Sequence, residues 1–247
     1  MSAFQIRVGH IDLSFHDAAA REVEAILEKH GHTIKRSAAP HERIFEILGE
    51  DGVDVLVSAW LPASHSKYLA PIEDQVSKLT VLYEPYCIWG VPEHVPEAAV
   101  ASVSDLLKPD VLERMDRRIQ GINPGAGISR FSARMVQEYG LAEAGYHFET
   151  GTEADCFDRF EEAAASGEWI VIPLWHPQYL HHRYHIRALD EPKGLLGGKD
   201  EATLIVRRDA EARIGEAALK ELAQLHLGNA KVSALDDASR SAFPTRS

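Results

Sequence analysis

Cysteine is almost absent from this chain, with only Cys87 and Cys156 in 247 residues. Two cysteines cannot build a disulfide framework or a CxxC metal pair. With no paired base in the sequence, both read as small buried apolar residues rather than nucleophiles. Basic charge is also scarce. Lys+Arg number 26 against 38 Asp+Glu, for a formal net charge of −12. No basic stripe interrupts that negative field, which excludes nucleic acid as a partner. No run approaches the ~20 apolar residues of a membrane span. Repeats of solenoid period and low-complexity blocks are missing too. The N-terminal string MSAFQIRVGHIDLSFHD lacks a basic segment followed by a long apolar one, so it does not read as a secretory leader.

What is present is the ordinary composition of a globular protein, 45% hydrophobic and 26% charged. The length suits one large domain or two lobes of about 100–150 residues each. Strand-like and helix-like stretches alternate. Phe4–Val8 reads as a first strand, followed by a helix with Ala19, Val23, Ile26 and Leu27 on one stripe and Gly31 as its cap. Thr33–Arg36 and His41–Leu48 read as a short strand and a helix, and VDVLVSA (Val53–Ala59) as a strand covered on both faces. Leu79–Leu82 and Cys87–Val91 follow as strands, and Ser102–Leu107 as a helix start. The alternation then restarts. Strands are expected at Arg118–Ile122, Tyr146–Thr150, Trp169–Leu174 and Ala202–Val206, with helices at Ser129–Tyr139, Ala154–Ala165 and Ala217–Leu227. Asp236–Ser247 reads as a loose polar tail. Two βα series predict an α/β protein with two mostly parallel sheets flanked by helices, one per lobe. The expected division is residues 1–88 plus about 200–247 in one lobe and 89–199 in the other. Ligands of such sheets bind beyond the carboxyl ends of the strands, which directs attention to the loops there.

Three of these loops stand out. After VDVLVSA comes Trp60-Leu61-Pro62-Ala63-Ser64-His65, and after WIVIPL comes Trp175-His176-Pro177-Gln178-Tyr179. Both combine a tryptophan, a proline turn and a polar group. Alone, either reads equally as a core tryptophan beside a surface histidine; as a pair, they suit two walls of one cleft. The third loop, Gly121-Ile122-Asn123-Pro124-Gly125-Ala126-Gly127-Ile128, joins a strand to a helix. It has neither the Gly-Lys-Ser/Thr of a P-loop nor GxGxxG spacing. Its free amides at a helix start suit a small carboxylate, or serve only a tight turn. Aromatic faces opposite an anion loop describe a zwitterion site, because a quaternary ammonium has no N–H to donate and is held by tryptophan faces.

The strings DVLVSAWLPASH, GINPGAGI and GEWIVIPLWHPQYLHHRY followed by LDEPKG resemble the substrate-binding proteins of glycine betaine/proline betaine/choline ABC importers, from about Val8 to Leu227. The resemblance implies a two-lobed, hinge-closing periplasmic-binding-protein fold of type II in unpermuted order. It implies a non-catalytic receptor for a betaine-like zwitterion, without metal or cofactor, acting as a monomer with permease subunits on the outer side of a membrane. If the chain as given is complete, the missing leader instead predicts a cytoplasmic sensor or carrier using the same cleft for another small carboxylate or amine. A small-molecule enzyme is the weaker rival, since no nucleophile elbow or HExxH is present. By resemblance, Trp60 and Trp175 form walls of the aromatic box, Gly127 and Ile128 give amide donors, and His65 the histidine. The family carries a third box tryptophan after its first strand. The aligned string here, Asp12-Leu13-Ser14-Phe15-His16, places Leu13 at that position and leaves Phe15 as the candidate wall. His10, His16 and Tyr179 are further candidates for the cleft lining. His176, His181, His182 and His185 read as solvent-facing or supporting residues, and Trp89 and Trp169 as packing.

Overall fold

A computed structural model describes residues 3–242. In chain order, the first stretch holds β1 (Gln5–Ile11), α1 (Ser14–Lys29), β2 (Thr33–Ala39), α2 (His41–Gly49), β3 (Val55–Leu61), α3 (Ser66–Leu69) and β4 (Val76–Tyr83). Next come β5 (Tyr86–Pro92), α4 (Pro109–Leu112), β6 (Arg118–Gln120), α5 (Gly127–Glu138), β7 (His147–Glu149), α6 (Glu153–Ser166), β8 (Ile172–His176), α7 (Leu180–Arg183) and β9 (Ile186–Ala188). β10 (Glu201–Arg207), α8 (Glu211–Ile214), α9 (Glu216–Leu222) and α10 (Asn229–Ala242) close the described chain. The contacts divide it into two units. The first comprises residues 1–85, 177–182 and 200–247; the second comprises 86–176 and 183–199.

In the first unit the sheet runs β2-β1-β3-β10-β4. β1 lies parallel to both β2 and β3, and β10 is inserted antiparallel between β3 and β4. Every residue of β3 is buried, as its unbroken apolar run demands for a strand covered on both faces. The second unit carries an antiparallel sheet β8-β5-β9 and a parallel pair β6-β7. The sheets are thus mixed, where a mostly parallel arrangement was expected. Parallel pairing needs a crossover between partners. β10 follows a long excursion through the second unit rather than a βα crossover from β3 or β4, so nothing holds it to their direction.

Local signals placed most helices within a few residues. Ser102 and Asp105 form a reciprocal capping box, although the turn they start is a 3-10 helix, Val103–Leu107. Thr152 and Asp155 do the same for α6. The supposed loose tail is a correction: Asn229–Ala242 is helix, and only Phe243–Ser247 of that expectation lies outside the described residues. α10 packs against α1 and buries Val232, Ser233 and Asp236. The polar residues on that buried face hid its periodicity. Cys156 is buried as expected, whereas Cys87 is only half-buried. Trp89 is core, its indole donating to Ser132 Oγ at 2.8 Å, and Trp169 lies under the Arg114 guanidinium.

Candidate functional site

The parallel strands β1 and β3 leave the sheet at the same edge, so the loops that follow them are neighbours. α1 starts there, with Leu13 in extended conformation as its N-cap residue and Phe15 and His16 in its first turn. All three are buried. The ring of Phe15 lies 5.5 Å from that of Trp60 at 44°, and His16 lies 5.8 Å from it. Phe15 therefore borders Trp60, and Leu13 holds the turn that delivers it.

Trp60 is fixed from several sides. Its backbone N–H donates to His65 Nδ1 at 2.8 Å, and the His65 N–H returns a bond to the Trp60 carbonyl at 2.9 Å. Because Nδ1 is an acceptor here, the ring proton of His65 sits on Nε2. The loop between them is shaped by Asp200. Its carboxylate accepts from the Ala63 N–H at 2.6 Å, the Ser64 N–H at 3.1 Å and the Ser64 hydroxyl at 2.6 Å. Asp200 precedes β10, more than 130 residues away, so no local pattern could reveal it. The Trp60 indole donates through Nε1 to the Tyr83 hydroxyl at 3.2 Å. Ser58 Oγ, on the same strand as Trp60, is hydrogen-bonded to His16 Nδ1 at 2.5 Å.

In the second unit, Trp175 stands on β8, opposite Cys87 of β5, with the Phe157 ring at 5.4 Å. α5 packs against β8. Its N-cap residue is Ala126, which has no side-chain acceptor, and the first intrahelical bond runs from Arg130 N–H to the Ala126 carbonyl. The amides of Gly127, Ile128 and Ser129 thus begin a helix whose first turn is buried and uncapped. A buried helix start of this kind needs an acceptor for its N–H groups, and its dipole favours an anion. The Ser129 hydroxyl is turned instead to the Ile122 carbonyl.

The remaining candidates fall elsewhere. His10 donates through Nδ1 to the Ile11 carbonyl at 2.8 Å. Tyr179 sits in the short segment of the first unit formed by residues 177–182. Its N–H donates to buried Asp236 at 2.8 Å and its ring lies under Arg240 at 4.1 Å. Burial raises the Asp236 carboxyl above its ordinary range. His182 and His185 are exposed, and no group of three metal-ligating side chains occurs among the described residues. The LDEPKG string is a loop folded around Glu191, whose carboxylate accepts from the Tyr139 hydroxyl and from the amides of Lys193, Leu195 and Leu196.

Residues 5–241 match the family described as the substrate binding domain of ABC-type glycine betaine transport system. The chain belongs to this family. A glycine betaine/carnitine transport binding protein, GbuC, of Listeria monocytogenes serotype 1/2a (strain 10403S) is 27% identical over 101 residues, or 41% of this chain. That match spans 34% of the length of this curated relative. Among solved structures, the glycine betaine/L-proline-binding protein ProX of Borrelia burgdorferi superposes with a TM-score of 0.84 at 23% identity, covering 97% of this chain and 88% of that one. Lactococcal OpuAC in its closed-liganded conformation, complexed with glycine betaine, gives 0.83 at 21%, covering 98% and 91%. The fold of this substrate-binding domain is accordingly the type II periplasmic-binding-protein fold expected from the sequence, and its family is one of binding proteins rather than enzymes.

The electrostatics of the first-unit site of this substrate-binding domain favour a neutral His16. Burial, reinforced by the neighbouring His65, His41 and His10, holds His16 well below its ordinary value. In the unfolded chain His16 titrates near its normal range, about 6.5. Between the folded and unfolded values the unfolded state binds the extra proton. The contribution of His16 is therefore fully present above about pH 6.5 and is lost as pH falls below it, at up to about 1.4 kcal/mol per pH unit. Urea titrations at several pH values between about 7.5 and 5 check this: His16→Gln should flatten the acid slope by roughly one proton, and an unchanged slope refutes the assignment.

Proposed function

We propose that this substrate-binding domain captures a small zwitterion with a quaternary ammonium, glycine betaine or a close betaine, as the receptor of an ABC importer on the outer side of a membrane. The carrying observation is the locked pair Trp60–His65, an indole face and an Nε2–H donor fixed to each other at the end of a fully buried strand. Trp60, Phe15 and Trp175 serve the methylated nitrogen. A quaternary ammonium gains little from carboxylate or water but is attracted by aromatic faces at about 0.5–2 kcal/mol per ring. The amides of Gly127 and Ile128, with His65, serve the carboxylate through charge-assisted hydrogen bonds. The names of the relatives point to the same ligand class. No group in this reading performs chemistry on the ligand. The expected partners are the permease subunits that receive the ligand, as the family's description as part of an ABC-type transport system suggests.

A thermal-shift screen against glycine betaine, proline betaine, carnitine, choline and ordinary amino acids tests the proposal. A ligand at about 100 times its Kd stabilises by about 2.7 kcal/mol, which raises Tm by roughly 5–10 °C in a chain of this size. The betaines should give that rise. A shift with amino acids but with none of the methylated ammonium compounds overturns the reading.

A further inference from the structure

We infer that Tyr83 is a positioning residue for the ligand-binding indole of Trp60, acting through the buried hydrogen bond that its hydroxyl accepts from the indole N–H. The inference rests on the proposed use of Trp60 as a ligand wall, and it adds to that use the residue that aims the ring. β10 lies between β3 and β4, and Ala202 is in register with Trp60 on one side and Tyr83 on the other. The three residues form one row across the sheet, and the middle one is small. The two large rings therefore meet over the alanine methyl, and the indole Nε1 reaches the Tyr83 hydroxyl at 3.2 Å.

Hydrogen-bond direction follows from the donor inventory. An indole N–H only donates, so the Tyr83 oxygen accepts from it. Tyr83 is itself fully buried, so it acts through the tryptophan. Its effect is to hold the indole N–H within the protein and leave the ring's π-face as what Trp60 offers a ligand.

A double-mutant cycle with glycine betaine as the probe tests this. In calorimetry at one pH and salt, Tyr83→Phe should raise Kd about tenfold, because the freed indole turns to find another acceptor. In a Trp60→Phe background the Tyr83 substitution should cost nothing further. Independently of any ligand, a nitrogen-15 tryptophan spectrum assigns the Trp60 indole N–H by its loss in Trp60→Phe, and Tyr83→Phe should move that resonance. Equal losses of affinity with and without Trp60, or an unmoved indole resonance, overturn the inference. Failure of the unmodified protein to bind the probe is a different result, seen before any variant is made. It removes the proposed function and the ligand role of Trp60 together.

Discussion

Replacing Trp60 or Trp175 by alanine is expected to raise the Kd for glycine betaine at least about tenfold in each case. Each substitution removes a desolvated cation–π face worth about 0.5–2 kcal/mol. It also removes apolar contact at about 25 cal/mol per Å². Both rings are nearly inaccessible to solvent, so truncation also creates a cavity; loss of a large core ring costs about 3–5 kcal/mol of stability. Binding must therefore be read on protein shown by circular dichroism to be folded at the working temperature. Trp60→Phe separates the two effects, since it keeps a π-face while giving up the bond to Tyr83. Phe15→Ala is the sharper probe of the box. Phe15 is the aromatic ring that α1 brings to 5.5 Å from Trp60, two residues after Leu13, the helix's N-cap residue. A loss matching that of the tryptophans assigns the third wall to Phe15, and no loss leaves the box open on that side. Isotherms unchanged in both tryptophan variants would refute the aromatic box altogether.

A second large effect is expected at the anion end. Side-chain substitution cannot remove the amides of Gly127 and Ile128, and they direct their N–H groups outward from the start of α5 whatever ligand arrives. A carboxylate there gains two or three hydrogen bonds with charge on the acceptor, each worth about 1.5–3 kcal/mol. Choline offers one hydroxyl and leaves the other donors unpaired in a desolvated site. Glycine betaine should consequently bind on the order of a hundredfold more tightly than choline. His65→Ala should narrow that gap by weakening the carboxylate ligand more than choline. Because His65 Nδ1 also accepts the Trp60 N–H, the substitution disturbs the wall as well. The ratio of the two affinities cancels that common loss and is the quantity to measure. Choline bound as tightly as glycine betaine, at one pH and salt, shows that the start of α5 is not an anion site.

Much of this molecule could be read along the chain. The unbroken apolar run of β3, the stripe of α1 ending at Gly31, and the serine and threonine starts at Ser102 and Thr152 are local signals. Each fixes its element through burial or through hydrogen bonds a few residues long. The stretches carrying Trp60, Gly127 and Trp175 were legible for the same reason. Trp60 and Trp175, expected in loops, stand instead near the ends of β3 and β8, whose pairing runs one or two residues past the apolar runs, and Gly127 opens α5. α10 was missed because Asp236, a buried carboxylate, occupies the face that hydrophobic periodicity would have shown.

The sequence by itself determined the α/β class, the stretches that hold the candidate residues and the family to which the chain belongs. Those depend on residue type and on spacing within a dozen positions. Only the tertiary structure decided which way β10 runs, that Asp200 shapes the loop before His65, that Tyr83 stands behind Trp60, and that Tyr179 is covered by Arg240. These pairings join residues from about 20 to nearly 140 positions apart. Hydrogen bonds and ring contacts depend on distances of a few ångströms, and between such distant residues those distances exist only after the sheet has set its strand order and register.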